Sequence, residues 1–462
     1  MLFLFELRHL VRERGTWVLM LIFGAALAYG MWNGAIVAER NRTTNLEFEE
    51  GVEDFRKQLR TYLAQGPNPR LTLWAANQEN GARAFLPAAP MPLLATGQSD
   101  LSPGHETFVL LKMNTAAGGR PELANPSHLL TGTFDLAFAL VWLFPLLLLA
   151  LLFDLMAGDR ESGTLRLALS QGMTPWRWML RRAVARSLPM LALAVIATFV
   201  ATYVGASNDS PSRQLLAMGI VLSYGLFWVV LAMAVNVVAR SAAESATTLG
   251  AAWVAFVLVA PTLLNVAVES LYPTPSRPQL VAEARHAAAE AREQADLMDS
   301  FYKDHPELAP KDKAMSYFAV SLTAEEKAGE AIAPVRESFD EQLEQQQIAV
   351  GRWRFVSPAI VMQEALTDLA GTGYWRYRAF REQVGEFKQE VSEFYAPKIH
   401  RSESLTLGDL NGFPAFTYKE EPSVAWQKRV GIGIGGILAL VFVLGAGAMF
   451  LLRPSRMGWM AT

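Results

Sequence analysis

No cysteine occurs among the 462 residues, which excludes disulfides, thiolate metal sites and cysteine nucleophiles and leaves the redox compartment open. Charge is scarce too: 18% of residues are charged, where a soluble globular chain has about 25%, and 52% are hydrophobic, where it has about 45–50%. The net charge of −3 is too small to point to nucleic acid or any other strongly charged partner. The histidines (His9, His105, His128, His286, His305 and His400) lack metal-ligand spacing, so no metal is expected. There is no His-Glu-x-x-His, no Gly-x-Ser-x-Gly and no Gly-x-x-x-x-Gly-Lys-Ser/Thr loop to cradle phosphates. The chain is therefore not expected to be an enzyme or to carry a cofactor. No small-residue cleavage site closes its first apolar stretch, so that stretch reads as a retained membrane segment.

The hydrophobic residues are concentrated in runs. A helix crossing the hydrocarbon needs about 20 mostly apolar residues, and six stretches qualify: 17–37, 134–153, 187–204, 215–238, 246–268 and 430–452. Arginine sets their orientation. Arg8, Arg12 and Arg14 precede the first span, Arg160 to Arg186 lie between the second and third, Arg240 lies between the fourth and fifth, and Arg453 and Arg456 follow the last. All fall on one side of a six-span plan, whereas the short loop between the third and fourth spans holds only Arg213. Both termini are thus expected in the cytoplasm of a bacterial inner-membrane protein. Segment 1–16 reads as a cytoplasmic amphipathic arm, 154–186 as a cytoplasmic loop and 453–462 as a cytoplasmic tail.

Two insertions, 38–133 and 269–427, then lie outside the membrane, and together they are long enough for a folded domain. In the first, 45–63 reads as a polar helix and Phe108 to Leu111 as a strand. In the second, 278–301 and 323–350 read as helices, the latter starting at a Thr323/Glu326 capping box. Polar residues inside the spans are few: Asp135, Tyr224, Asn236 and Asn265. They form no charged relay for ion-driven transport, and Asp135 stands where it could reach water. Pro145, Pro189 and Pro261 are candidate kinks, the last two near span ends.

The loop after the second span contains Asp159, Glu161, Ser162, Gly163, Thr164 and Leu165, then Arg177, Arg181 and Arg182. This resembles the ABC-2 type permease family, in which an acidic residue and Gly-Thr-Leu follow the second span and a basic stretch re-enters the membrane. The amphipathic arm with Glu6, Arg8 and Arg12 is similar to that family's connecting helix. Gly172 stands where the common pattern has proline. Ser357-Pro358, Leu369 to Thr372, Tyr374 to Phe380 and Phe413 to Phe416 further resemble a subfamily with large extracytoplasmic insertions after the first and fifth spans.

The resemblance implies a type V exporter-like fold: six transmembrane helices and a mostly helical α+β extracytoplasmic domain built from both insertions. It implies a permease whose ATP and Mg are bound by a separate ABC ATPase, present in two copies, and which pairs with a second copy or a related permease. Asp159, Glu161, Ser162, Gly163, Thr164 and Leu165 would couple to the ATPase. Physically, a short helix with acidic residues at its start suits the helix dipole, and Gly163 permits close backbone approach. Arg8, Arg12, Arg181 and Arg182 would anchor at anionic headgroups of the bilayer. Gly30 with Gly34, and Gly431 with Gly435, have the spacing of close helix packing or a dimer seam. Export of an unidentified substrate is the leading expectation. Mechanotransmission to a periplasmic partner, and a membrane-anchored sensor or scaffold, are the alternatives.

Overall fold

The computed structural model describes residues 12–97, 104–112, 133–170, 174–205, 211–273 and 313–452, with isolated helical positions between 282 and 293. The amphipathic arm up to residue 11, including Arg8, most of the 278–301 helix and the tail from 453 lie outside the described residues.

The first apolar run does not end its helix. Helix α1 continues through Arg14–Leu63, 50 residues without a proline, or about 75 Å at 1.5 Å per residue. A hydrocarbon core is about 30 Å thick, so roughly half of α1 stands beyond it. The polar helix expected at 45–63 is thus the continuation of the first span. After it come α2 (Pro69–Ala76), started by the Asn68 side chain accepting from Arg70 N–H at 3.0 Å, and a small antiparallel pair, β1 (Arg83–Phe85) with β2 (His105–Thr107). The strand expected at Phe108 to Leu111 is instead an edge into a 3-10 turn, Leu110–Lys112. Phe108 and Leu110 both turn inward to a core, as strand alternation would have it, but the 3-10 turn ends the pairing after Phe108 N–H bonds Ala82 O at 3.0 Å.

Helix α3 is built from Leu136–Phe138, a π-helical turn Ala139–Leu143, and Phe144–Leu152. Two short helices follow, α4 (Ala157–Glu161) and α5 (Thr164–Ser170). Then come α6 (Pro175–Val204), α7 (Pro211–Val238) and α8 (Ala242–Leu271). Beyond lie α9 (Lys313–Trp353), α10 (Pro358–Ala370), α11 (Tyr374–His400) and α12 (Ser423–Leu451). Six of these stretches, carrying α1, α3, α6, α7, α8 and α12, are long and apolar enough to cross a membrane. We call the end of this bundle that bears the insertions the domain end, and the other the loop end.

The two π turns each stand just ahead of a proline. Phe144 N–H bonds back five residues to Ala139 O, immediately before Pro145. Ala260 N–H likewise bonds to Ala255 O, immediately before Pro261. A proline ring would clash with a tight preceding turn and offers no donor, so the turn widens. Side chains take up carbonyls around these turns: Tyr224 Oη donates to Val141 O at 2.8 Å, and Trp253 Nε1 to Trp142 O at 3.2 Å. Pro189 falls well inside α6, because that helix begins at Pro175, earlier than its apolar run.

Two cores result. In the bundle, α7 is central, with Tyr224 and Trp228 fully buried against α3, α6, α10 and α12. The second core joins both insertions: Phe55 and Leu59 of α1, Leu73, Ala84 and Phe108 pack on Phe380, Phe387 and Tyr395 of α11. Phe413 meets Phe55 and Phe394 (6.0 and 5.5 Å between ring centroids), and Phe416 meets Phe380 and Phe387 (5.7 and 5.5 Å). Burial there pushes the Tyr418 phenol up to about 12. At the edge of this core, desolvation raises the Asp409 carboxyl, but hydrogen bonds from Lys398 and Thr406 outweigh it and hold the group below its usual value. Asp135 does not reach water. It is buried, caps α3 by accepting from Phe138 N–H at 2.7 Å, and holds Thr96 through both its N–H and hydroxyl at 2.8 Å.

The second insertion does not stay at the domain end. Gln346 near the close of α9 donates to Tyr272 O at 2.6 Å, at the domain end of α8. The chain then descends, and Ser357 Oγ donates to Phe256 O at 2.5 Å, midway along α8. Phe256 O is the carbonyl that Pro261 cannot serve in the π register, so the hydroxyl fills a vacancy the proline creates. Phe355 presses on Gly436, midway along α12, where even a Cβ would collide with its ring. Helix α10 climbs back with Ala359, Val361, Met362, Leu366 and Leu369 in the bundle core. It ends at Gly371, whose φ of +75° is a left-handed cap. There Met91 N–H bonds Ala370 O at 3.2 Å and Thr372 Oγ1 bonds Ala95 O at 3.0 Å, tying the two insertions together. The capping box expected at Thr323 is not a helix start: α9 begins ten residues earlier, at Lys313, and Thr323 Oγ1 bonds Ala319 O within it.

Candidate functional site

The loop end gathers the ends of four helices around α4 and α5. Asn236, fully buried near the close of α7, is the fastener. Its Oδ1 accepts from the N–H groups of Leu155, Met156 and Ala157 at 3.0, 3.1 and 3.4 Å, just past the end of α3. Its Nδ2 donates to Leu152 O at 3.1 Å and Ala232 O at 2.9 Å. One amide thus satisfies a carbonyl that the end of α3 leaves unpaired and the N–H groups at the start of α4. Arg160 of α4 caps the last carbonyls of α7, donating to Val237 O at 3.1 Å and also to Ala239 O. Arg186 of α6 donates to Asp154 O at 2.9 Å. Gly158 N–H meets the Asp154 carboxylate at 2.8 Å, and a Cβ at Gly158 would collide with that carboxylate.

The residues singled out in this loop divide into two groups. Asp159 and Leu165 point inward. Asp159 pairs with Arg182, accepts from Trp178 Nε1 at 3.2 Å and from Thr164 Oγ1 at 3.3 Å. Leu165 is buried in the bundle core. Glu161, Ser162, Gly163 and Thr164 are exposed at the tip. Gly163 has φ of +77°, a conformation that favours glycine and turns the chain from α4 into α5. Ser162 and Thr164 hydroxyls are 2.9 Å apart across that turn. Glu161 also reaches Ala242 N–H at 3.2 Å, so the tip is bonded to the first residue of α8. Ser241 and Glu244 cap the same terminus reciprocally, at 3.2 Å (Ser241 Oγ to Glu244 N–H) and 2.8 Å (Glu244 Oε2 to Arg240 N–H).

The arginines differ among themselves. Arg12 and Arg181 are exposed. Arg182 is buried, paired with Asp159 and donating to Leu155 O at 3.0 Å, so it is not placed to anchor at headgroups. Leu167 of α5, 66% exposed, leaves an apolar side chain open beside the tip that no motif in the sequence marks. Asn236 is visible in the sequence only as a polar residue in an apolar run; its role depends on backbone about 80 residues away. Among the four glycines, Gly30 packs directly on the Asp135–Leu136 backbone and Gly34 is in ordinary contact with Leu93, so both serve contacts within the chain. Gly431 and Gly435 face open space on α12. Among the described residues no group of three or more His, Asp or Glu could hold a metal ion.

No curated protein and no solved structure matches this chain. A family model described as a domain of unknown function, DUF3526, matches residues 277–419, the stretch that includes α9, the descending hairpin and α11.

Proposed function

We propose that this chain is the membrane subunit of an ATP-driven ABC assembly, acting as an export permease whose loop end docks on a separate ATPase. The observation that carries the reading is the tip Glu161 to Thr164, exposed yet bonded into a unit that holds the ends of α3, α6, α7 and α8. A displacement applied there would move four spanning helices together instead of bending a loop. The likeness of this segment to ABC-2 permeases supports the same reading, with cytoplasm at the loop end, inner membrane as the location and a second permease copy as partner.

A second reading, mechanotransmission, is favoured by one feature. Helix α1 runs from the bundle core, at Phe23 and Leu27, into the domain core, at Phe55 and Leu59, without a proline, so bundle movement would be carried outward as a lever. The first test is shared by both. The wild-type chain purified from its native membranes is expected to bring an ABC ATPase with it. Leu167→Asp, a surface change of small structural cost, is expected to lose that subunit while keeping its thermal unfolding midpoint. A folded Leu167→Asp variant that retains the ATPase counts against docking at this tip.

A further inference from the structure

A cavity of about 140 Å³ opens where α1 leaves its apolar run, between that helix, the segment 86–96 and the start of α11. It is several times the space one water molecule needs. Toward the span its lining is apolar, at Val37 and Pro92, and Pro92 also touches Gly34. No Asp or Glu lines it among the described residues, whereas Arg40, Asn41, Thr44, Asn45 and Arg376 do. Arg376 is already neutralised by Glu420 and tied to Gly371 O and Pro87 O at 3.1 Å each. Asn45 donates to Leu86 O at 3.0 Å. The other three are different. Arg40, Asn41 and Thr44 have no side-chain hydrogen bond or ion pair among the described residues. The cavity therefore meets one uncommitted guanidinium with an amide and a hydroxyl beside it, a donor set suited to a phosphate.

The depth of the cavity favours a lipid over a soluble anion. The apolar run of α1 ends at Val37, so Arg40 stands within one turn of the hydrocarbon edge. Below it Trp32 and Ile36 are 64% and 53% exposed. Trp32, Ile36 and Arg40 follow at four-residue intervals and so lie on one face of the helix. An amphipathic ring and a guanidinium in that order match the approach to a head-group layer. A lipid on this face would lay its chains against Trp32 and Ile36 and bring its phosphate to Arg40.

We propose that this cavity binds the phosphate-bearing head group of an anionic lipid, with Arg40, Asn41 and Thr44 as its donors and the Trp32/Ile36 stripe as the seat of its chains. The inference rests on α1 spanning a membrane and is independent of ATPase docking.

The test is native mass spectrometry of the purified chain in a mild non-ionic detergent, titrated with dioleoyl phosphatidylglycerol. One lipid is expected to bind ahead of the rest, and Arg40→Gln is expected to weaken that step about fivefold, as the loss of one cation near a head group should. Arg42→Gln is the control: Arg42 pairs with Glu39 and does not line the cavity, and its loss should leave the step unchanged. Ala88→Trp, an exposed lining residue enlarged to fill the space, should abolish the step with the charge intact. Excess inorganic phosphate is expected to leave the lipid bound. Equal weakening by Arg40→Gln and Arg42→Gln, or undiminished binding in both Arg40→Gln and Ala88→Trp, overturns the site. Displacement by inorganic phosphate overturns the lipid as its occupant.

Discussion

Replacing Asn236 with leucine is expected to lower stability by about 4 kcal/mol, because it leaves three buried N–H groups unpaired at roughly 1–3 kcal/mol each, offset in part by the apolar side chain gained. The three are Leu155, Met156 and Ala157, which have Asn236 Oδ1 as their acceptor. Leu152 O and Ala232 O also lose the amide's donors. Leucine leaves no large void in place of the amide, so the loss reports the hydrogen bonds and not a cavity. The defect should be local. Hydrogen exchange is expected to rise sharply across 152–161 while the second core around Phe380 and Tyr395 keeps its protection. Uniform protection in the variant would contradict the role given to this residue.

Arg182→Ala is expected to cost roughly 3 kcal/mol, the penalty for stranding one member of a buried ion pair. Asp159 would keep Trp178 and Thr164 but lose its cation, and Leu155 O would lose its donor. The control is the adjacent residue: Arg181→Ala, on an exposed side chain, should stay within about 0.5 kcal/mol. Thermal unfolding of the two variants in the same detergent measures the contrast directly. Equal midpoints would mean that the Asp159–Arg182 pair does not hold α6 to the loop.

These neighbours show where the sequence stops being legible. Arg181 and Arg182 are the same residue type at the same membrane boundary, and both read as headgroup anchors; a helical turn of about 100° per residue sends one to the surface and the other inward. The six spans are legible because uncharged runs of about 20 apolar residues match the thickness of a bilayer and little else. The length of α1 is hidden because hydropathy falls at Val37, although nothing between there and Asn45 breaks a helix. The descending hairpin leaves almost no trace: α10 has 13 residues, too few to read as a span, and the chain before it is rich in Glu and Gln. Its depth comes from Ser357 and Phe355 fitting α8 and α12, contacts made across about 80 to 100 residues of sequence. In the loop, Glu161 and Gly163 stand out by motif, while the bond from Glu161 to Ala242 and the caps by Arg160 and Asn236 arise only when the helix ends converge.

Docking of an ATPase on the Glu161 to Thr164 tip, as proposed, is tested most directly by proximity. A single cysteine introduced at Ser162, carrying a short photo-cross-linker in native membranes, is expected to yield an adduct with an ABC ATPase subunit. The same probe at Phe442, on the open face of α12, is expected to yield none. No ATPase adduct from Ser162→Cys, or an equal one from Phe442→Cys, would contradict the account.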